Sequence, residues 1–135
     1  MPTQPPTVYP ALFYRDADAA IAFLERAFGF EELMVHRDGS VVVHAELRLG
    51  NAVVMPSTAK PERGWKSPLD LGGVNQSVYI ALDDVDAHHA RATEAGAEIV
   101  HPLADTEYGS REYGAKDPEG HYWHFGTYVP ALPAA

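Results

Sequence analysis

The chain has 135 residues, 46% hydrophobic and 21% charged, and contains no cysteine. That is enough for one compact domain and too little for two independent ones, and it excludes disulfides, thiol catalysis and thiolate metal sites. Ten basic against nineteen acidic side chains give a net charge of −9; Lys and Arg never cluster, so the footprint for nucleic acid is missing.

The start, Met1-Pro-Thr-Gln-Pro-Pro6, has neither a basic stretch nor an apolar core. No secretory signal is expected there, and no apolar run approaches the roughly 20 residues of a membrane span. A cytoplasmic location is the expectation. Residues 1–7 are expected to be a flexible tail. Val8–Tyr14 then alternates as a strand, with Tyr9, Ala11 and Phe13 on one face and Pro10, Leu12 and Tyr14 on the other. Asp16 or Asp18 caps a helix by accepting hydrogen bonds from its free amides. Ile21, Leu24 and Phe28 recur at helical spacing, and Gly29 supplies the left-handed stop. A strand over 31–37 reaches the tight-hairpin signal Asp38-Gly39 and returns through Val41–Leu49. Gly50-Asn51 turns the chain into a fourth strand, Ala52–Met55. The order is βαβββ.

Residues 57–73, rich in Pro, Gly, Ser and Lys, read as a linker. The same order then repeats. Ser77, Tyr79 and Ala81 share one strand face, and Val78, Ile80 and Leu82 the other. Asp84 or Asp86 caps a helix closed by Gly96. Strands near Ala97–Leu103, Arg111–Lys116 and Tyr122–Thr127 follow, the last two joined by the turn Asp117-Pro-Glu-Gly120. Residues 129–135 form a second tail. His88 and His89 diverge by about 100° on their helix and cannot share a metal; one is expected half-buried and the other solvated.

The expected fold is α+β: two tandem βαβββ modules, residues 8–56 and 74–128, form a curved, cleft-enclosing mixed sheet within one domain spanning 8–128. One helix covers one sheet face per module, so Leu12, Val78, Ile80, Trp123 and Phe125 should face a core. Strand parity sends Tyr9, Phe13, His44, Glu46, Arg48, Val54, Tyr79, Glu112, Tyr122 and His124 to the uncovered faces. That set is aromatic with a few polar groups, as small-molecule pockets are. Trp65 sits in the linker with no core to join, either as a lid over the cleft or against a partner subunit.

Ala19–Phe30, His44–Gly50, Asp83–Ala87, Ala95–Val100, Tyr108–Tyr113 and Asp117–Trp123, in this order, resemble the vicinal oxygen chelate superfamily, the glyoxalase/bleomycin-resistance/dioxygenase group. The resemblance covers nearly the whole chain and implies the fold. It does not select an activity, because the group holds isomerases, dioxygenases, transferases and proteins that only bind antibiotics. Its metal-dependent members place a His early in the first strand and a Glu in the last strand of the repeat. Those positions correspond here to Tyr9, Ser77, Val54 and His124, of which only His124 coordinates well.

The expectation is therefore a metal-independent, cofactor-free protein that binds or sequesters an aromatic or cationic small molecule. Its ligand-binding residues would be Tyr9, Phe13, His44, Glu46, Trp65, Tyr79, Glu112, Tyr122 and His124, with no metal site and no catalytic residue. The alternative is a metal-dependent glyoxalase-like lyase or isomerase, or a dioxygenase, using His44, Glu46 and His124 as a two-histidine, one-carboxylate set. The expected partners are a small-molecule ligand and a second copy in a homodimer, without nucleic acid or membrane.

Overall fold

Both halves open their helices with the same cap. Asp16 accepts from the Ala19 amide and Asp84 from the Ala87 amide, each at 3.0 Å. In the computed structural model, which describes residues 5–134, the first half comprises β1 (Ala11–Tyr14), α1 (Ala17–Phe28), β2 (Glu31–Asp38), β3 (Val41–Leu49) and β4 (Ala52–Thr58). The second comprises β5 (Ser77–Ala81), α3 (Val85–Glu94), β6 (Glu98–Asp105), β7 (Arg111–Lys116) and β8 (Tyr122–Gly126). Between them lie a 3-10 turn at Pro61–Arg63 and the short helix α2 (Pro68–Leu71). Residues 1–4 of the expected N-terminal tail, and residue 135, fall outside the described part.

The two βαβββ modules make two four-stranded mixed sheets, ordered β1-β4-β3-β2 and β5-β8-β7-β6. In each, the first and last strands of the module run parallel and the other neighbours antiparallel. Gly29 ends α1 at φ +81°, a conformation closed to most side chains, and its amide bonds back to Glu25. The β3–β4 hairpin uses Gly50-Asn51 as its two-residue loop, with Leu49 opposite Ala52.

Three expectations shift. β1 begins at Ala11, because Pro10 has no amide for the ladder and contributes only its carbonyl, to Met55 N at 2.8 Å. β4 runs on to Thr58, so the first two linker residues are strand. Val54 does not line an open face; it is 1% exposed and packed in the core. Residues 52–56 are apolar at both parities, so alternation carried no information there. Register supplies what alternation could not: Ala11 pairs with Met55 as Tyr79 pairs with His124, making Met55 the first-half counterpart of His124.

Helices α1 and α3 pack together, and the core gathers around them. Trp123, Tyr14, Tyr113, Phe28, Phe125 and Leu24 are fully buried. Phe28 alone packs its ring against Trp123, Phe125 and Phe23, a burial worth roughly 2–3 kcal/mol. Leu12, Ile80, Trp123 and Phe125 are core residues and Val78 packs against them, as the strand pattern requires.

The second module caps the first module's helix at both ends. At the start of α1, the Glu119 carboxylate accepts from Arg15 N at 2.7 Å and Asp16 N at 2.8 Å. At its end, Arg91 donates to the Arg26 and Glu25 carbonyls at 3.1 and 3.0 Å, and His88 Nε2 to the Phe28 carbonyl at 2.8 Å. Anion at the N-terminus and donors at the C-terminus suit both the orphan backbone groups and the dipole. Asp117 adds a buried acceptor. Oδ2 takes the Tyr14 hydroxyl at 2.7 Å and the Trp123 indole N–H at 3.1 Å, while Oδ1 takes the amides of Glu119 and His121 at 3.1 Å. Burial, then Asp117, hold the Tyr14 hydroxyl well above its ordinary pKa. The 117–120 turn is thus a turn, and also a clasp between modules.

The linker is tied to this clasp. Buried Ser67 caps α2 and donates to Glu119 at 2.6 Å, and Arg15 pairs with Asp70 on the surface.

Candidate functional site

The uncovered face of the second sheet is built in three ranks. Ser77, Tyr122, Lys116 and Glu98 stand abreast; then Tyr79, His124, Gly114 and His101; then Ala81, Gly126, Glu112 and Ala104. The two glycines have no left-handed backbone requirement; their use is space. A Cβ on Gly114 would lie 2.8 Å from His124 Nδ1 and 2.9 Å from His101 Cδ2. A Cβ on Gly126 would lie 2.5 Å from Glu112 Cγ and 2.8 Å from the Tyr79 hydroxyl. Any side chain at either position must displace these groups. The glycines are a floor that the side chains of Tyr79, His101, Glu112 and His124 approach closely.

Over that floor sits a hollow of about 580 Å³, walled by Tyr79, Tyr108 and Tyr128 with Glu112 and His124, and completed by Ser77 and Pro130. Tyr108 donates to Glu112 at 3.0 Å and meets the Tyr128 ring edge-on at 5.8 Å. The Tyr79 hydroxyl donates to the Tyr128 carbonyl at 2.7 Å. Burial and the nearby Glu112 raise the Tyr79 pKa. His124 stacks on His101 at 5.4 Å; burial first, and then His101, lower its pKa, with Glu112 opposing. The imidazole is held neutral at physiological pH.

Of the residues expected from sequence, Tyr79, Glu112 and His124 meet in this hollow. Tyr122 shares the sheet face but lies under the Lys116 ammonium, 4.9 Å from its ring centroid, and borders a neighbouring hollow with Gly73 and Val74. Phe13 and Trp65 stack at 4.9 Å in a hollow of about 610 Å³ roofed by the linker, with Lys66, Asn75, Gln76 and His121. Trp65 remains 53% exposed there, so it lies over a hollow instead of joining the core. His44 and Glu46 share a face of the first sheet and hydrogen-bond each other at 2.9 Å. Tyr9 precedes β1, its hydroxyl donating to the Pro6 carbonyl, and lines neither hollow.

Sequence reasoning missed Tyr108, Tyr128, His101 and the two glycines. An isolated glycine inside a strand pattern marks close approach, and Gly114 and Gly126 carried that signal. Both histidines of the pair are half-buried, so neither is the solvated one expected; His88 is held between the Tyr113 hydroxyl at 2.6 Å and the Phe28 carbonyl. His89 meets the edge of Tyr113.

The family's metal positions do not suit a divalent ion. Tyr9 is engaged with Pro6, Ser77 is a poor donor, and the register puts a methionine, Met55, opposite His124 in the repeat. Among the described residues no three His, Asp or Glu side chains converge as an ion would require; in particular His44, Glu46 and His124 do not.

Two βαβββ modules, with uncovered sheet faces carrying the hollows, define a glyoxalase-type fold. The chain belongs to the Glyoxalase/Bleomycin resistance protein/Dioxygenase superfamily, whose family model matches residues 7–125. It is 38% identical over 128 residues to an uncharacterised protein of Mycobacterium bovis, covering 92% of this chain and 84% of that one. It is similar to the crystal structure of TioX from Micromonospora sp. ML1, with 34% identity, a TM-score of 0.75, and 95% and 100% of the two chains covered. The fosfomycin resistance protein FosX from Mesorhizobium loti shares the fold at 16% identity, with a TM-score of 0.67 and 94% and 95% covered. No helix among the described residues is long and apolar enough to cross a membrane.

Proposed function

We propose that this protein binds and sequesters an aromatic small molecule of antibiotic type in the tyrosine-walled hollow of the second sheet, without a metal. One observation carries the reading: the glycine-floored surface gathers three tyrosine rings around one carboxylate and one imidazole. Rings supply apolar contact and stacking, and the few polar groups fix orientation. Phe13 and Trp65 form a second aromatic step, reached along the chain from Ser77 through Gln76. His44 and Glu46 would meet the ligand from the first sheet of a second copy, in a cytoplasmic homodimer. Exposed Leu33, Met34 and Val41 on the same β2–β3 hairpin support that pairing.

The metal-dependent alternative requires His44 and Glu46 to release each other and reach His124 on the other sheet. No observation favours it. The test is calorimetric titration with a panel of aromatic antibiotics, with and without added zinc, nickel or manganese. Binding at micromolar Kd, unchanged by metal and weakened tenfold or more by Tyr79→Ala, is expected. Metal-dependent turnover, or no binding below millimolar, would overturn the reading.

A further inference from the structure

Resting on that reading, the charge layout of the hollow selects among aromatic ligands. Glu112 is its acidic group, and every Lys or Arg ion pair among the described residues goes elsewhere. Its neighbour Arg111, on the opposite parity of β7, spends its guanidinium on Asp86 and Asp105. One Glu112 oxygen takes the Tyr108 hydroxyl proton, leaving the rest of the carboxylate facing the hollow.

Two of the three tyrosine hydroxyl protons are likewise committed: Tyr108 donates to Glu112, and Tyr79 to the Tyr128 carbonyl. An incoming group therefore meets tyrosine rings, a carboxylate and an imidazole, with no Lys or Arg donor in the lining. Ring faces carry negative potential, and a cation beside several of them gains most when partly desolvated. The overall charge of −9 favours the same sign at long range. An anionic ligand finds no Lys or Arg in the lining to hold it.

We propose that the hollow recognises an organic ammonium, an alkylated amine seated against Glu112 with Tyr79, Tyr108 and Tyr128 around its methyl or methylene groups. The preferred ligand is then an aromatic molecule carrying a basic amine. Glu112 is the residue that sets the charge preference, while the rings set affinity for the body of the molecule.

The matched probes are choline and 3,3-dimethylbutan-1-ol, equal in shape and different in charge, together with 2-naphthol as a neutral planar probe. Binding is followed by NMR amide shifts on the full-length protein at low salt. Choline should shift the amides of residues 108–112 and 124–128 and bind at least tenfold more tightly than the alcohol. Glu112→Gln should remove that preference, bringing choline and the alcohol to within twofold of each other. Equal binding of the matched pair, or a preference that survives Glu112→Gln, overturns the ammonium assignment. If 2-naphthol binds the hollow in that outcome, the aromatic-binding reading stands without it. If neither choline nor 2-naphthol perturbs these residues, both fall.

Discussion

Replacing Asp117 with alanine should unfasten the two halves, and its size follows from what the carboxylate holds. It accepts from the Tyr14 hydroxyl, the Trp123 indole and two amides, at 2.7 to 3.1 Å. Tyr14 and Trp123 are 0% exposed, so water cannot take over their protons. Each orphaned buried donor costs about 1–3 kcal/mol, and removing one partner of a buried charged network about 3–5 kcal/mol in all. Against a typical total of about 5–15 kcal/mol, that is a large fraction. The sharper test adds Tyr14→Phe. In the native background this change should destabilise by about 1–2 kcal/mol, because a hydrogen bond to a charged group is lost. With alanine already at 117, the hydroxyl is itself the orphan, and Tyr14→Phe should stabilise by about 1 kcal/mol. Urea denaturation of the four proteins, read by tryptophan fluorescence, gives the cycle. If Tyr14→Phe destabilises equally in both backgrounds, the clasp does not work as described.

Burial lowers the pKa of His88 from its ordinary 6.5, so the unfolded chain takes up this proton first as pH falls. Stability from His88 is therefore complete above about pH 6.5 and is lost on descending towards the lower folded value. The urea midpoint should fall between about pH 7.5 and 5.5, and His88→Phe should flatten that slope while lowering the midpoint throughout. Gly126→Ala forces its Cβ into Glu112 and Tyr79; ligand affinity measured by calorimetry should drop tenfold or more, with stability reduced by about 1–3 kcal/mol from overpacking. Trp65→Phe keeps the stack on Phe13, so the urea midpoint should hold within about 0.5 kcal/mol, while loss of the exposed indole removes the red-shifted part of the emission. Dialysis against a chelator should leave ligand affinity unchanged within twofold.

The repeat was legible because its punctuation is local. Asp16, Gly29, Asp84 and the hairpin glycines act within a few residues of themselves, and the strands at Val41–Leu49 and Arg111–Lys116 fell where the turn signals beside them placed them. Tyr79, Glu112 and His124 were brought to one face by parity alone. Val54 was misplaced because parity is silent in a run that is apolar throughout. The clasp was out of reach for a different reason. Asp117 and Glu119 find their partners at Tyr14, Arg15, Asp16 and Ser67, a hundred or fifty residues away, and their turn-forming spelling gives a sufficient local explanation for their presence. Tyr108 and Tyr128 stood outside any strand pattern, and the tertiary structure recruited them.

Because α1 borrows Glu119 at one end and Arg91 and His88 at the other, a fragment ending at the linker would keep only the Asp16 and Gly29 caps of its helix and lose the partners beyond them. Severing the exposed Pro61–Gly64 loop should nonetheless leave a working molecule, since the two pieces stay laced through buried polar bonds and shared aromatic packing. The peptide chain there is a tether of convenience: what makes the halves one protein is the finishing of one half's helix by the other.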